Sequence, residues 1–172
     1  MTTRKWLGLI VSVLALAVAT SGSAADQGNA QGCSPLGSWF GFDATNRASW
    51  MSTFHGQTAS SGTYVLDVPG IDASQFFGSA VRASTFRGTW QRTGGNTIAF
   101  TVISFALDAG GQTVGIAKLS GNDTMMENCN TLFITNTLEL YAPDVDPFQS
   151  QGYPIQLPDH YGYRMRVDPP AN

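Results

Sequence analysis

Short runs in which apolar and polar residues alternate are the feature that most restricts the fold of this chain. In residues 62–68, for example, Tyr64, Leu66 and Val68 fall on one face. Further runs of this kind are separated by glycine, asparagine, aspartate and serine, and they occupy residues 38–42, 49–54, 84–92, 96–108, 113–120 and 131–141. A period of two between turn residues is typical of β-strands. The sequence therefore predicts an all-β fold of seven or eight consecutive strands.

Consecutive strands of similar length joined by tight turns indicate a meandering antiparallel sheet. Such a sheet has to hide its edges, either by closing on itself or by doubling over. A single antiparallel up-and-down barrel of about eight strands fits this requirement best, and a β-sandwich is the rival architecture. A barrel of about eight strands has room for packed side chains or for one small ligand. The predicted fold class is therefore compatible with a binding function.

Two segments interrupt the simple alternation. In the run 96–108 the apolar residues keep one phase up to Val102 and the opposite phase from Ile103 onward, which predicts a β-bulge near Val102. Residues 71–84 are the only stretch with room for a short helix, for which Asp72 is the expected N-cap. Two phenylalanines in that stretch suggest a lid or plug on the barrel, and a buried structural turn is the favoured alternative.

The first 25 residues differ from the rest of the chain. Arg4 and Lys5 precede an apolar run at residues 7–19, and small residues follow at 23–25. This order is typical of a secretory signal peptide with its cleavage site. The run is shorter than the ~20 apolar residues of a membrane-spanning helix, so no membrane span is expected after cleavage. We predict that residues 1–25 are a signal peptide and that the protein is secreted or periplasmic.

The composition changes again after residue 141. Six of the eight prolines lie in residues 142–172. Prolines at that density prevent a helix and keep the chain extended. We therefore predict a barrel domain at residues 26–141 and a proline-rich C-terminal arm at residues 142–172 that packs on the barrel. Residues 160–167 are a candidate last strand, and an arm that joins a homo-oligomer is the alternative, since aromatic and arginine side chains are frequent at interfaces.

Cys33 and Cys129 are the only cysteines of the chain. In an exported protein, a pair of cysteines is more often bridged than free. A reactive thiol or a metal ligand is the alternative, but neither cysteine has a histidine or a second cysteine nearby in the sequence. The sequence therefore predicts a structural disulfide between Cys33 and Cys129.

The charge of the chain excludes some classes of partner. Without Arg4 and Lys5, the nine basic residues become seven, which face twelve acidic residues and give a net charge of −5. No cluster of lysine and arginine interrupts this acidic balance. Nucleic acids and anionic membranes are bound by grouped basic side chains, so neither is an expected partner.

Familiar catalytic and metal-binding motifs are missing from the sequence. His55 and His160 are the only histidines, and no spacing typical of a zinc site occurs. Neither a Gly-x-Ser-x-Gly motif nor a phosphate-binding glycine loop occurs. Asp144 and Asp146 lack the other ligands of a calcium loop. We expect no metal and no cofactor, and the sequence leaves any catalytic residue unknown.

Polar residues on otherwise apolar strand faces are the best candidates for ligand contacts. Asn136 shares a face with four leucine and isoleucine residues, so an inward amide needs a partner that a ligand, another side chain or a buried water would supply. Tyr64 is in the same situation, with solvent as the alternative partner of its hydroxyl. We predict that Tyr64, Phe100, Phe105 and Asn136 contact the ligand. Asp67 and Glu139 have the opposite phase and are expected outside the barrel.

Two Gly-x-Trp units, Gly37-Ser38-Trp39 and Gly88-Thr89-Trp90, carry a resemblance to a known group of proteins. The first unit, at the start of the first strand, resembles the lipocalins and the wider calycin superfamily, and the pattern of residues 37–141 is similar to that of uncharacterised secreted bacterial lipocalin-like proteins. The resemblance implies a tryptophan at the closed end of the barrel, covered by an arginine from near the last strand. Trp39 and Trp90 are then structural residues, and the candidate arginines are Arg164 and Arg166, with Arg92 as a third.

This resemblance implies a fold more than an activity. The leading hypothesis is a barrel that binds a small, largely apolar molecule. One alternative is a barrel cyclase or isomerase of the allene oxide cyclase type, which would add an ionisable group inside the cavity. A second alternative is a structural or protein-binding exported barrel without a ligand, whose interior would be filled.

Overall fold

The structure, a computed structural model, describes residues 32–42 and 48–166. The predicted signal peptide lies outside the described residues, and so do residues 167–172 of the predicted arm. The strands are β1 (Gly37–Phe42), β2 (Ala48–His55), β3 (Ser61–Asp67), β4 (Arg82–Ala83), β5 (Phe86–Arg92), β6 (Thr97–Leu107), β7 (Thr113–Met125), β8 (Thr131–Tyr141), β9 (Tyr153–Gln156) and β10 (His160–Arg164). In this part of the chain, no helix is long and apolar enough to cross a bilayer.

The strands close into an antiparallel barrel of eight strands, taken in chain order as β1, β2, β3, β5, β6, β7, β8 and β10. Closure occurs at β10, where Gly162 pairs with Gly41 of β1 on one side and with Leu132 of β8 on the other. The short strand β4 lies beside the end of β6. The predicted all-β, up-and-down antiparallel barrel of about eight strands is thus confirmed.

The proline-rich segment contributes to the barrel itself. Strand β9 pairs with the second half of β8, and β10 pairs with the first half. The candidate last strand in this segment is therefore the strand that completes the barrel. The barrel extends beyond residue 141, where the sequence places the end of the barrel domain.

Strand β6 keeps a single phase along most of its length. Ser104 and Ala106 continue the inward phase of Val102, and Phe105 is 45% exposed on the outer face. The predicted bulge near Val102 is wrong, because the irregularity of register lies between Ala106 and Leu107. A serine is tolerated inside the barrel here because its Oγ donates a hydrogen bond to the carbonyl of Ser84 at 2.6 Å.

Both Gly-x-Trp tryptophans are buried at the same end of the barrel. Trp39 is fully buried and donates from Nε1 to the carbonyl of Pro35 at 2.9 Å, while Trp90 donates to the carbonyl of His55 at 3.1 Å. Gly88 is required at its position because a Cβ there would overlap the carbonyl oxygen of Thr101. The two units therefore close one end of the barrel with large, hydrogen-bonded indoles.

A disulfide between Cys33 and Cys129 secures this closed end, with Cα atoms 5.2 Å apart, and confirms the predicted bridge. It joins the segment before β1 to the turn between β7 and β8. The N-terminal part of the described chain is thereby fixed to a turn that follows it by 96 residues.

The opposite end of the barrel is covered by the segment between β3 and β4. The expected helix in this segment is a single 3-10 turn, Ala73–Gln75, and Asp72 caps it by accepting a hydrogen bond from the backbone N–H of Ser74 at 3.0 Å. Phe77 packs where Gly115 has no side chain. Only about 20 Å³ of space remains beneath this cover. The segment is therefore a packed plug.

Candidate functional site

A cavity of about 140 Å³ lies inside the barrel, between the closed end and the plug. Its wall is mostly apolar and is formed by Trp50, Tyr64, Leu66, Val68, Phe100, Leu119, Ile134, Asn136, Leu157 and His160. A protein cavity of about 150 Å³ with an apolar wall holds a molecule the size of benzene. Two larger hollows, of about 500 and 570 Å³, lie against outward-facing residues such as Thr89 and Arg87 and are open to solvent.

Alternation along the strands brings these residues together. On β8, every second residue from Leu132 to Leu138 points inward, and Asn136 is among them. The cavity wall includes Tyr64, Phe100 and Asn136, which are three of the four residues predicted to contact a ligand. Phe105 is not part of this wall, because it lies on the outer face of β6.

The floor of the cavity is a packed aromatic cluster. The rings of Tyr64 and Phe54 are stacked with 4.2 Å between their centroids. Phe100 meets Tyr64 edge to face at 5.1 Å, and Trp90 meets Phe54 in the same way at 5.9 Å. Aromatic pairs in these arrangements add stability beyond that of the area they bury. The cavity therefore has a packed aromatic floor that is in contact with Trp90 of the closed end.

Two polar atoms of the cavity wall lack a hydrogen-bond partner among the described residues. They are the indole Nε1 of Trp50, which can only donate, and the amide Oδ1 of Asn136, which can only accept. Trp50 is 7% exposed and Asn136 is 6% exposed, so bulk solvent does not satisfy them. Buried polar groups are nearly always paired in folded proteins. The cavity thus presents one donor and one acceptor to whatever occupies it.

A buried carboxylate lies beside the floor. Asp123 of β7 is fully buried, and neither of its oxygens has a hydrogen-bond partner in the part of the chain that the structure describes. Burial raises the pKa of Asp123 to about 8. Burial also raises the pKa of Tyr64 well above its usual range, helped by the negative charge of Asp123 and opposed by the hydroxyl of Ser52.

Sequence reasoning missed Asp123 because Gly121-Asn122-Asp123 has the composition of a turn, so the predicted strand ended at residue 120. In the structure β7 continues to Met125, and Asp123 keeps the inward phase of Leu119. That phase was the signal that could have found it.

The segment between β9 and β10 forms the side of the cavity nearest solvent. Leu157 and His160 contribute to the wall, while the residues between them, Pro158 and Asp159, are exposed. His160 is held by a contact of 3.0 Å between its Nδ1 and the carbonyl of Pro158, and its ring meets that of Trp50 edge to face at 5.8 Å.

The outer face of the barrel accounts for the remaining acidic candidates. Glu139 forms an ion pair with Lys118 at 2.6 Å, and Asp67 accepts a hydrogen bond from Thr85 at 2.7 Å. Both therefore face outward, as their phase indicates. Within the described ranges, no three histidine, cysteine, aspartate or glutamate side chains are grouped so that they could hold a metal ion.

Comparison of the chain with protein-family models gives no match, and comparisons with curated proteins and with solved structures give none either. The barrel and the geometry of its cavity are therefore the basis for assigning a function.

Proposed function

We propose that this protein is an exported, lipocalin-like barrel that binds a small, largely apolar molecule in its interior cavity. The supporting observation is an apolar cavity whose wall presents one unpaired donor, on Trp50, and one unpaired acceptor, on Asn136, among the described residues. Ligand sites are typically concave and apolar, with a few polar groups that fix orientation. The disulfide is consistent with an oxidising compartment outside the cytoplasm.

The size of the cavity limits the ligand to about one aromatic ring or a short branched chain with one polar end. A ligand of about eight non-hydrogen atoms that gains about 1 kcal/mol per atom has a Kd of about 1 μM. Affinity in this range is measurable by calorimetry. The apolar body would pack on Tyr64 and Phe100, and the polar end would face Asn136 and Trp50.

The test is native mass spectrometry of the oxidised protein, followed by denaturation and extraction of any released small molecule. A cavity-filling variant, Ile134→Phe, should release none, while Phe133→Leu, on the outer face of the same strand, should release as much as the wild type. A protein that is consistently empty, and that binds no small apolar compound by calorimetry, would contradict the proposal and favour the structural or protein-binding barrel.

A barrel cyclase or isomerase is the second candidate function. It is favoured by the hydroxyl of Tyr64 and the imidazole of His160, which lie in the wall of one cavity and are both able to exchange a proton. Asp123 adds an inward ionisable group behind Tyr64. The test is incubation of the extracted compound with the protein in heavy water. Deuterium uptake or isomerisation that Tyr64→Phe abolishes would support an enzyme, and unchanged compound would support simple binding.

A further inference from the structure

Hydrogen-bond acceptors outnumber donors around the cavity. Among the described residues, the unpaired acceptors are the Oδ1 of Asn136 in the cavity wall and the two carboxylate oxygens of Asp123 behind it, whereas Nε1 of Trp50 is the unpaired group of the wall that can only donate. The unpaired hydroxyl of Tyr141 belongs to no part of the cavity wall. The hydroxyl of Ser52 lies beside that of Tyr64 and can either donate or accept. A ligand that pairs with all of these groups has to supply several hydrogen-bond donors.

Asp123 and Asn136 are diagonal neighbours on the inner face of the barrel. Asp123 pairs with Ile134 of β8, and Asn136 lies two positions further along that strand. Diagonal neighbours on one face lie about 7 Å apart, so one small group can reach both side chains. Gly121 pairs with Asn136 and allows the two strands to pack closely, since a Cβ at Gly121 would lie 2.7 Å from Cα of Asn136. Asn136 is part of the cavity wall, and Asp123 lies behind that wall.

No protein cation in the described ranges serves Asp123. On the two strands beside β7, Asp123 pairs with Ile98 and Ile134, and neither of them ionises. Across the barrel, Tyr64 is the titratable group that feels its charge, and His160 lies in the wall of the cavity. The nearby cations have other partners. Lys118 pairs with Glu139 outside the barrel. At the closed end, Arg92 donates to backbone carbonyls and Arg164 lies over Trp39.

We infer that the ligand of this barrel is a small apolar primary amine, whose ammonium group lies between Asp123 and Asn136 and whose apolar body packs against Tyr64 and Phe100. This inference rests on the proposed binding function and specifies its ligand. An ammonium group supplies three donors and no acceptor, which matches the three unpaired acceptors, whereas a hydroxyl supplies only one donor. Its positive charge compensates a buried carboxylate that is otherwise unpaired, and aromatic walls favour a cation.

Binding of such an amine is coupled to a proton. In the empty barrel the carboxyl of Asp123 is protonated below about pH 8. When the ammonium binds, the carboxyl ionises, its proton leaves to solvent, and an ion pair remains. No other bond changes. One proton is therefore released for each amine bound, and affinity rises with pH up to about 8, as long as the amine stays protonated.

The test is calorimetric titration with three probes of similar size: toluene, benzyl alcohol and benzylamine. Benzylamine is expected to bind tightest, with a Kd that falls about tenfold per pH unit between about pH 6 and pH 8, while the Kd of the two neutral probes stays constant. Titrations in buffers of different ionisation enthalpy should show release of about one proton for benzylamine alone. Asp123→Asn should remove the pH dependence and weaken benzylamine binding at least about tenfold, whereas Asp67→Asn, on the outer face, should change nothing.

The outcomes separate the two proposals. If none of the three probes binds, the proposed binding function fails. If the neutral probes bind and benzylamine binds no better, or binds without proton release, the cavity stands and the inference of an amine ligand is overturned. Should Asp123→Asn fail to fold, the pH profile of the wild type decides, and Asn136→Leu, which removes one acceptor, should still weaken benzylamine more than toluene.

Discussion

The guanidinium group of Arg164 lies over the indole ring of Trp39, with 4.2 Å between its Cζ and the ring centroid. The same guanidinium donates from Nη1 to the carbonyl of Leu36 at 2.7 Å and from Nε to that of Cys129 at 3.1 Å. One side chain of the last strand therefore holds the segment before β1, the turn after β7 and the tryptophan of the closed end. Of the three candidate arginines, Arg164 takes the position over Trp39.

Arg164→Met should lower the free energy of unfolding by about 2–4 kcal/mol, because it removes a cation–π contact and leaves carbonyl groups without their charged donor. Urea denaturation followed by tryptophan fluorescence measures this change. Arg166→Met is the matched control, since Arg166 is exposed and should cost less than about 0.5 kcal/mol. Equal losses for the two variants would show that the contact with Trp39 does not stabilise the barrel.

Reduction of the disulfide should destabilise the protein by about 3–5 kcal/mol, because Cys33 and Cys129, which are 96 positions apart, close a long loop in the unfolded chain. The measurement is the shift of the urea midpoint on addition of a reductant. A Cys33→Ser/Cys129→Ser variant should show the lower midpoint from the start and no response to the reductant. An unchanged midpoint for the reduced wild type would mean that Arg164 and the packing of Trp39 hold this end without the bridge.

Much of the barrel can be predicted from the sequence because alternation determines both the strands and their inner faces. In β8 the phase of Leu132 and Leu138 is enough to place Asn136 inside, and in β3 the phase of Leu66 does the same for Tyr64. These patterns are local in the sequence, and the same residues remain on the inner face when the strands close into a barrel. Composition alone, by contrast, is ambiguous where small or polar residues continue an inner face, as Ser104 does in β6.

The rest of the site depends on contacts between distant parts of the chain. Trp50 and His160 meet because β10 closes the barrel next to β1. Residues 160–167 are recognisable as a candidate strand, but the strands with which they pair are not evident from the local pattern. Asp123 was missed for the opposite reason, since its surroundings have the composition of a turn within a continuous strand. A buried carboxylate opposes the hydrophobic pattern on which strand prediction relies. A functional site is expected to depart from that hydrophobic pattern, and a buried polar group without a partner is one form that the departure takes.

The stability of the barrel should fall as pH rises from about 4 to about 8, the pKa to which burial raises Asp123 in the folded protein. In the unfolded chain this pKa is about 3.9, so the folded state holds the proton more tightly, and ionisation above about pH 4 favours unfolding. The upper limit of this loss is about 6 kcal/mol. Urea midpoints at about pH 5, 6.5 and 8 measure it.

Asp123→Asn replaces this carboxyl with a neutral group of the same shape. The variant should lose the decline in stability between about pH 4 and 8, and it should be more stable than the wild type at about pH 8. Asp72→Asn is a useful contrast, because the hydroxyl and backbone N–H of Ser74 lower the pKa of the exposed Asp72, so the stability contribution of that carboxylate is lost as pH falls. Parallel pH profiles for wild type and Asp123→Asn would contradict the assignment of the effect to Asp123.

Gly41→Ala should disturb the cavity from outside its wall. A Cβ at Gly41 would overlap the indole of Trp50, and at Gly162, on the neighbouring strand, it would lie 2.6 Å from Cη2 of the same ring. The two glycines thus form the surface on which Trp50 lies, and an added methyl group pushes the ring toward the cavity. We expect a loss of about 1–3 kcal/mol of stability and at least a tenfold loss of affinity for small apolar ligands, on the order expected for overpacking.

Gly78→Ala is the control, because a Cβ there meets nothing within 4 Å. Unchanged ligand affinity in Gly41→Ala, measured beside that control, would mean that Trp50 does not define the ligand site.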